Sequence, residues 1–214
     1  RGLARALVAA AALAGLMACA PARAPDATAP GTPTQPETAR SNQPARATRH
    51  MIAAANPLAA EAGLAILREG GSALDAAIAA QMVLNVVEPQ SSGIGGGGFL
   101  VHFSEASGDI IAYDGRETAP AATAPDRFLD ASGVPMKFID AVVGGLSVGV
   151  PGLLRMLEAA HRDYGKLPWR RLFEPAIGLA ENGFSISPRL HASIAADRHL
   201  DTFDEARTYF YTPV

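Results

Sequence analysis

Cysteine is almost missing from this 214-residue chain, whose one cysteine is Cys19. Because we expect Cys19 to be used in N-terminal processing, none is left for a disulfide, a thiol nucleophile or a zinc–thiolate site. The histidines also lack the spacing of metal ligands, such as H-E-x-x-H, and we expect them to be structural or solvated. We therefore predict no metal and no cofactor. The histidines are His50, His102, His161, His191 and His199.

An excess of positive charge is missing as well. The 18 Lys and Arg residues are outnumbered by 21 Asp and Glu residues, which gives a net charge of −3 and a pI near 6.0. A protein that binds nucleic acid needs a basic face, so this composition argues against nucleic acid as a partner. Hydrophobic residues make up 49% of the chain, enough for one substantial core.

The apolar run Ala6–Leu16 is too short to cross a membrane. At about 1.5 Å per residue it falls far short of a hydrocarbon layer of roughly 30 Å. Its basic start and small-residue exit instead predict that residues 1–19 are a secretory signal. The segment Leu16–Cys19 resembles a lipobox, so we expect a lipid at Cys19 and a periplasmic, membrane-anchored protein. The alternative is cleavage at an Ala-x-Ala site, Ala18–Ala20.

Residues 20–46 are rich in Pro, Ala and Thr. Such a composition buries too little apolar surface to offset the entropy lost on ordering. We predict a disordered tether here and a folded part over residues 47–214. The chain starts without methionine and stops shortly after Tyr211, so we expect a fragment of a longer gene product.

Periodicity and capping residues predict a mixed order of elements in the folded part. We expect a short buried strand at Met51–Ala55, ended by Asn56–Pro57, and a helix from Pro57 to about Glu69, stopped by Gly70–Gly71. Ser72 and Asp75 begin a capping box that opens a second helix through about Val87. This helix is apolar on nearly all sides, so we expect it inside a layered protein. Two strands follow. Three further helices complete the prediction. Helices layered on a sheet in this order indicate an α+β protein, without the βαβ alternation of a doubly wound fold. The later elements are the strands 99–103 and 109–113 and the helices 151–164, 169–182 and one capped by Ser187–Pro188.

Gly93–Gly98 formally satisfies G-x-G-x-x-G. A dinucleotide site needs that motif between a strand and a helix, whereas this one follows a helix and precedes a strand. No Lys-Ser/Thr follows, which also excludes a P-loop. The glycines let the backbone pass close to other backbone, either for folding alone or along the wall of a pocket. The wall residues would be Gly95, Gly96, Gly97 and Gly98.

Arg116 follows the second predicted strand, in Tyr-Asp-Gly-Arg-Glu-Thr-Ala-Pro. Its planar fork of donors matches a carboxylate bidentately, which lysine does not do. The alternative is an exposed ion pair with Glu117 or Asp114, worth about 0–1 kcal/mol. A serine nucleophile is not expected, since Ser91–Ser92 stand outside any G-x-S-x-G elbow.

The stretch Glu88–Phe99 and the segment Arg116–Pro120 together resemble the γ-glutamyltransferase (glutathione hydrolase) family, over roughly residues 47–214. The resemblance implies that Arg116 grips the α-carboxylate of a γ-glutamyl group. Glu117 or Asp114 would orient the guanidinium or receive the α-ammonium. It also implies part of the αββα sandwich of N-terminal-nucleophile hydrolases.

The same resemblance implies γ-glutamyl transfer from glutathione and similar amides to water or an amino acid. The nucleophile would be a threonine freed at the start of a small subunit when the precursor cuts itself. No Thr-Thr-His segment occurs in residues 1–214, so we expect this chain alone to be inactive. Two alternatives stay open: an anchored solute-binding lipoprotein for amino acids or peptides, and a related amide acylase.

Overall fold

The computed structural model describes residues 44–211. The predicted signal, Cys19 and most of the predicted tether lie outside these residues. Residues 46–211 belong to one compact unit. Its helices and strands, in chain order, are α1 (Pro57–Arg68), α2 (Ala73–Val87), β1 (Phe99–Phe103), β2 (Ile110–Asp114), α3 (Phe138–Val142), α4 (Leu153–Tyr164), α5 (Glu174–Asn182), α6 (Pro188–Ala196) and α7 (Asp204–Phe210), with 3₁₀ turns at Trp169–Phe173 and Leu200–Thr202.

The first two helices begin where their capping residues predict. Asn56 directly precedes Pro57, and its Oδ1 accepts a hydrogen bond from the N–H of Leu58. Ser72 and Asp75 form a reciprocal capping box, in which each side chain accepts from the other residue's N–H. Such caps satisfy N–H groups that the helix itself leaves without partners. The two helices therefore form the expected pair.

Helix α2 is the centre of the core. Nine of its 15 residues are buried, and it packs against α1, α4, α5 and the 3₁₀ turn that precedes α5. A helix apolar on nearly all sides is expected inside a layered protein, and this prediction is confirmed. Asp75 is fully buried, and its Oδ2 accepts hydrogen bonds from the N–H groups of Lys166 and Leu167.

The sheet among residues 44–211 consists of the antiparallel pair β1–β2, in a register that sets Phe99 opposite Asp114 and Phe103 opposite Ile110. One face of this hairpin packs toward α4, where the ring of His102 stacks on Tyr164 at 4.1 Å. The other face is exposed along both strands. The mixed α+β class is confirmed, and the strand boundaries agree within one residue.

The strand predicted at Met51–Ala55 is wrong. This segment has no regular secondary structure, no described residue pairs with it, and Met51 is 59% exposed. Ile52 instead packs against the core formed by α1 and α2. A short apolar run predicts that part of the segment is buried, but it does not predict what buries it. Here helices bury Ile52, and no neighbouring strand pairs with the segment.

Several boundaries differ from the prediction for local reasons. Helix α4 begins at Leu153, two residues after Pro151, because Gly152 is its N-cap. The predicted helix 169–182 divides into a 3₁₀ turn and α5, whose first turn contains Pro175. Proline has no N–H to donate to the carbonyl four residues earlier, so it interrupts a helix, but it fits the first turn of one. Helices α3 and α7 and the turn Leu200–Thr202 were not predicted.

None of the helices in residues 44–211 combines the length and apolar character needed to span a membrane.

Candidate functional site

The site lies where the end of β2 meets the glycine loop, Gly93–Gly98. Beyond the strands the two backbones pair once more, with Gly115 N–H donating to the Gly98 carbonyl at 3.0 Å and Gly98 N–H donating to the Gly115 carbonyl at 3.3 Å. This extra pair places Arg116 directly beside the loop. The two segments that the sequence singled out are therefore one structural unit.

Gly97 makes the closest backbone approach in this unit. A Cβ atom at Gly97 would lie 2.6 Å from the Gly115 carbonyl oxygen and 2.9 Å from Arg116 Cα, distances that side chains do not tolerate. Nothing lies within 4 Å of a Cβ placed at Gly95. Glycine is thus required by close packing at Gly97 and not at Gly95.

The loop is also tied to the start of α4. The carbonyl oxygen of Gly96 accepts hydrogen bonds from the N–H groups of Gly152 and Leu153, each at 3.2 Å. These N–H groups lie at the start of a helix, where they have no partner within the helix. The loop backbone is therefore held by both β2 and α4.

Arg116 and Glu117 line a cleft of about 480 Å³ together with Gly95. Glu117 also lines a neighbouring cleft of about 730 Å³, whose wall includes Gly96, Gly97 and Gly98. The Glu117 carboxylate lies against the loop, with Oε1 3.3 Å from the position of a Cβ on Gly96. All the residues predicted from the sequence for this site are thus brought together around Glu117, with the exception of Asp114.

Asp114 has a different contact from the one expected. Its Oδ1 accepts a hydrogen bond of 2.9 Å from the backbone N–H of Arg116. The ion pairs within residues 44–211 do not include Arg116, Asp114 or Glu117. The guanidinium is therefore exposed and unpaired in this part of the chain, so the surface ion pair considered as an alternative is not formed.

Arg127 is a cleft residue that was not predicted for this site. It is half-buried, lines the cleft of Arg116, and its Nε donates to the carbonyl oxygen of Leu146 at 2.7 Å. This bond joins two irregular segments 19 residues apart. A pattern in the sequence gives no signal for such a contact, because neither segment has a periodicity.

Tyr113 connects β2 to α4 behind the site. Its hydroxyl donates to Asp163 Oδ2 at 2.6 Å, and this hydrogen bond to a carboxylate raises the pKa of Tyr113 to about 12. Within residues 44–211, no three His, Cys, Asp or Glu side chains come together in a way that would hold a metal ion.

A family model described as γ-glutamyltranspeptidase matches residues 59–213, well over half of the chain. The chain belongs to the γ-glutamyltranspeptidase family. It is 46% identical over 145 residues to the glutathione hydrolase proenzyme of Bacillus subtilis, an alignment that covers 68% of this chain and 25% of that protein. It is 44% identical over 146 residues to glutathione hydrolase 3 of Arabidopsis thaliana, covering 68% and 22%.

The fold of this family member resembles that of a solved relative. The crystal structure of Helicobacter pylori γ-glutamyltranspeptidase matches with a TM-score of 0.74 and 36% identity, covering 79% of this chain and 48% of that one. The chain thus spans about a quarter of the curated relatives and about half of the solved chain.

Proposed function

We propose that the protein containing this chain catalyses γ-glutamyl transfer or hydrolysis, with glutathione and other γ-glutamyl amides as substrates and water or an amino acid as acceptor. The proposal is supported by membership of the γ-glutamyltranspeptidase family and by relatives named glutathione hydrolase. The chain spans a quarter of those relatives, so its own residues account for one part of the site.

The observation that carries the proposal is the placement of Arg116. Its guanidinium lines a cleft beside the glycine loop and has no carboxylate partner within residues 44–211. A guanidinium without an internal partner offers two parallel N–H donors to a planar anion. We assign it to the α-carboxylate of the γ-glutamyl group.

Glu117 supplies the opposite charge in the same cleft. The α-carbon of a γ-glutamyl group carries an ammonium as well as a carboxylate, so an adjacent cation and anion match it. We assign Glu117 as one acceptor for the ammonium. Asp114 then acts on the backbone of Arg116, in keeping with its hydrogen bond to the Arg116 N–H. Gly95, Gly96, Gly97 and Gly98 form the adjacent wall in this assignment.

The nucleophile belongs to the portion of the protein beyond this chain. We propose a threonine at the start of a small subunit, produced from the same precursor. A threonine hydroxyl is a weak nucleophile until a base removes its proton, and its own N-terminal amine can serve as that base. Backbone N–H groups would stabilise the oxyanion. The two described strands would belong to one sheet of an αββα sandwich.

The proposed location is outside the cytoplasm. It depends on the pattern of residues 1–19, with a lipid at Cys19 as the anchor and residues 20–46 as the tether. Labelling of the full-length protein with a palmitate analogue, compared with Cys19→Ala, tests the anchor. Loss of label in the variant is expected, and equal labelling would remove this part of the proposal.

Hydrolysis of a chromogenic γ-glutamyl anilide tests the activity. The full-length protein is expected to release the aniline and the 214-residue chain is not. A matched glutaryl anilide, which lacks the α-amino group, distinguishes the acylase alternative. Faster turnover of the glutaryl compound would favour that acylase, and tight glutamate binding without any turnover would favour the solute-binding lipoprotein.

A further inference from the structure

We propose that Ser92, held by Gln81 and Asn85 of α2, is a positioning residue that fixes the glycine loop and, through it, Arg116. This inference rests on the proposed function, because it assigns Ser92 a part in the binding of γ-glutamyl substrates. Ser92 itself is not placed in contact with the substrate.

The three side chains form a closed ring of hydrogen bonds. Gln81 Nε2 donates to Asn85 Oδ1 at 2.9 Å and to Ser92 Oγ at 2.6 Å. Ser92 Oγ in turn donates to Asn85 Oδ1 at 2.6 Å. The Ser92 hydroxyl therefore both accepts and donates, and its rotation is fixed by two partners.

The position of the two amides in α2 indicates that they serve the loop. Gln81 and Asn85 are one helical turn apart, so they share a face of a helix that is otherwise almost entirely apolar. Half-burying an amide is costly unless it is hydrogen-bonded. Here both amides bond to the hydroxyl of Ser92, a residue shortly after the end of the helix.

Ser92 is the last side-chain anchor before the glycines begin. Its backbone N–H also donates to the Glu88 carbonyl at 3.1 Å, so both its main chain and its side chain are attached to the end of α2. The other end of the loop is fixed by the Gly98–Gly115 pair. Between these points the loop is held by the main-chain hydrogen bonds from Gly152 and Leu153 to the Gly96 carbonyl. Its one sizeable side chain, Ile94, is 54% exposed.

This arrangement connects the ring to the arginine in two steps. The ring fixes the position at which the loop leaves α2. The loop in turn lies against the main chain of Arg116, so closely that a Cβ on Gly97 would be 2.9 Å from Arg116 Cα. The position of the loop therefore fixes the position of Arg116. Releasing Ser92 therefore changes the grip on the substrate carboxylate more than the chemistry at the amide. An interaction of that kind affects KM more than kcat.

Three variants of the full-length protein test the proposal. Ser92→Ala removes the hydroxyl but leaves Gln81 and Asn85 bonded to each other, so folding is expected to be preserved. Ser92→Thr keeps the hydroxyl. Ser91→Ala is the matched control, because the exposed Ser91 hydroxyl bonds to Arg189 and takes no part in the ring.

With a γ-glutamyl anilide, Ser92→Ala is expected to raise KM about 5-fold to 10-fold, because both hydrogen bonds of the Ser92 hydroxyl are lost and the loop is less firmly held, with kcat within about twofold. Ser92→Thr restores most of the KM, and Ser91→Ala leaves it unchanged. An unchanged KM in Ser92→Ala, or an equal rise in Ser91→Ala, would overturn the proposal.

Hydrogen–deuterium exchange of the same proteins provides a readout that does not depend on activity. The amides of Gly93–Gly98 are expected to exchange faster in Ser92→Ala than in wild type, with no change in Ser91→Ala. If wild type fails to turn over γ-glutamyl substrates, the proposed function is wrong. Unchanged exchange in Ser92→Ala would instead show that Ser92 does not hold the loop.

Discussion

Asp114 holds the backbone of Arg116, with Oδ1 of the carboxylate 2.9 Å from the Arg116 nitrogen. An aspartate side chain that accepts from the N–H two residues ahead fixes the local main chain, here directly after β2. The guanidinium is thereby left without an internal partner in residues 44–211, while the main chain that carries it is fixed. In the proposed site, Asp114 fixes the main chain and the Arg116 side chain is available to bind the substrate.

Substitutions at Asp114 distinguish this backbone role from a charge role. Asn keeps an oxygen that accepts the Arg116 N–H, whereas Ala does not. We expect Asp114→Asn to retain a KM for γ-glutamyl anilide near the wild-type value and Asp114→Ala to raise it about 3-fold to 10-fold. Steady-state kinetics of the full-length protein measure both. Equal effects of the two variants would show that the negative charge is what matters.

Gly97→Ala is expected to damage the site. The new methyl group would meet the Gly115 carbonyl and Arg116 Cα, which are backbone atoms and have to move. We expect a loss of kcat/KM of roughly 5-fold to 150-fold, as for overpacking that costs about 1–3 kcal/mol. Gly93→Ala is the matched control, since nothing lies within 4 Å of its Cβ. Similar losses in both variants would contradict the close-approach argument.

The helices were the most predictable part of this fold. Asn56–Pro57, the Ser72–Asp75 capping box and Ser187–Pro188 each mark a helix start in a few adjacent residues, and each is confirmed. Local signals of this kind depend only on neighbours in the chain. The sheet was less predictable, because an extended run such as Met51–Ala55 becomes a strand only where another segment pairs with it.

In the candidate site, too, features set by neighbouring residues were predictable and contacts between distant residues were not. Arg116 and the glycine loop were predicted as site residues from the sequence because each lies in a contiguous motif. The Gln81–Asn85–Ser92 ring and the bond from Arg127 to Leu146 were not found, because they join side chains across turns and irregular segments. Three polar residues in an apolar helix, Asp75, Gln81 and Asn85, were the available signal, and all three hold loops.

Glu88 makes stability depend on pH. It is buried at the end of α2, where Asn56 Nδ2 donates to Oε1 at 2.9 Å and Gln90 and Ser187 also donate to the carboxylate. The hydrogen bond from Asn56 is the main cause that lowers the pKa of Glu88 below its ordinary value of 4.5, and burial opposes it. The ionised form therefore stabilises the folded state above pH 4.5, and this contribution is lost as the pH falls through the lowered pKa.

Glu88→Gln is accordingly expected to lower the free energy of unfolding at pH 7 by about 1.5–3 kcal/mol. It should also reduce the loss of stability on acidification below about pH 4.5, because the titrating group is gone. Urea unfolding of the full-length protein at several pH values measures both effects. Glu158→Gln, at an exposed carboxylate paired with Arg155, is the control and should change little. A wild-type pH profile in Glu88→Gln would refute the assignment.

The most direct test of the central claim pairs an enzyme variant with a matched substrate. Kinetics are measured for wild type and Arg116→Ala with a γ-glutamyl anilide and with the 4-aminobutanoyl anilide, which lacks only the α-carboxylate. Wild type is expected to prefer the γ-glutamyl compound by roughly 10-fold to 100-fold in kcat/KM, as for hydrogen bonds between charged groups. Arg116→Ala should lose most of that preference, while Arg155→Ala, at an exposed arginine in α4, keeps it. An Arg116→Ala enzyme that discriminates between the two substrates as well as wild type would contradict the assignment of Arg116 to the substrate carboxylate.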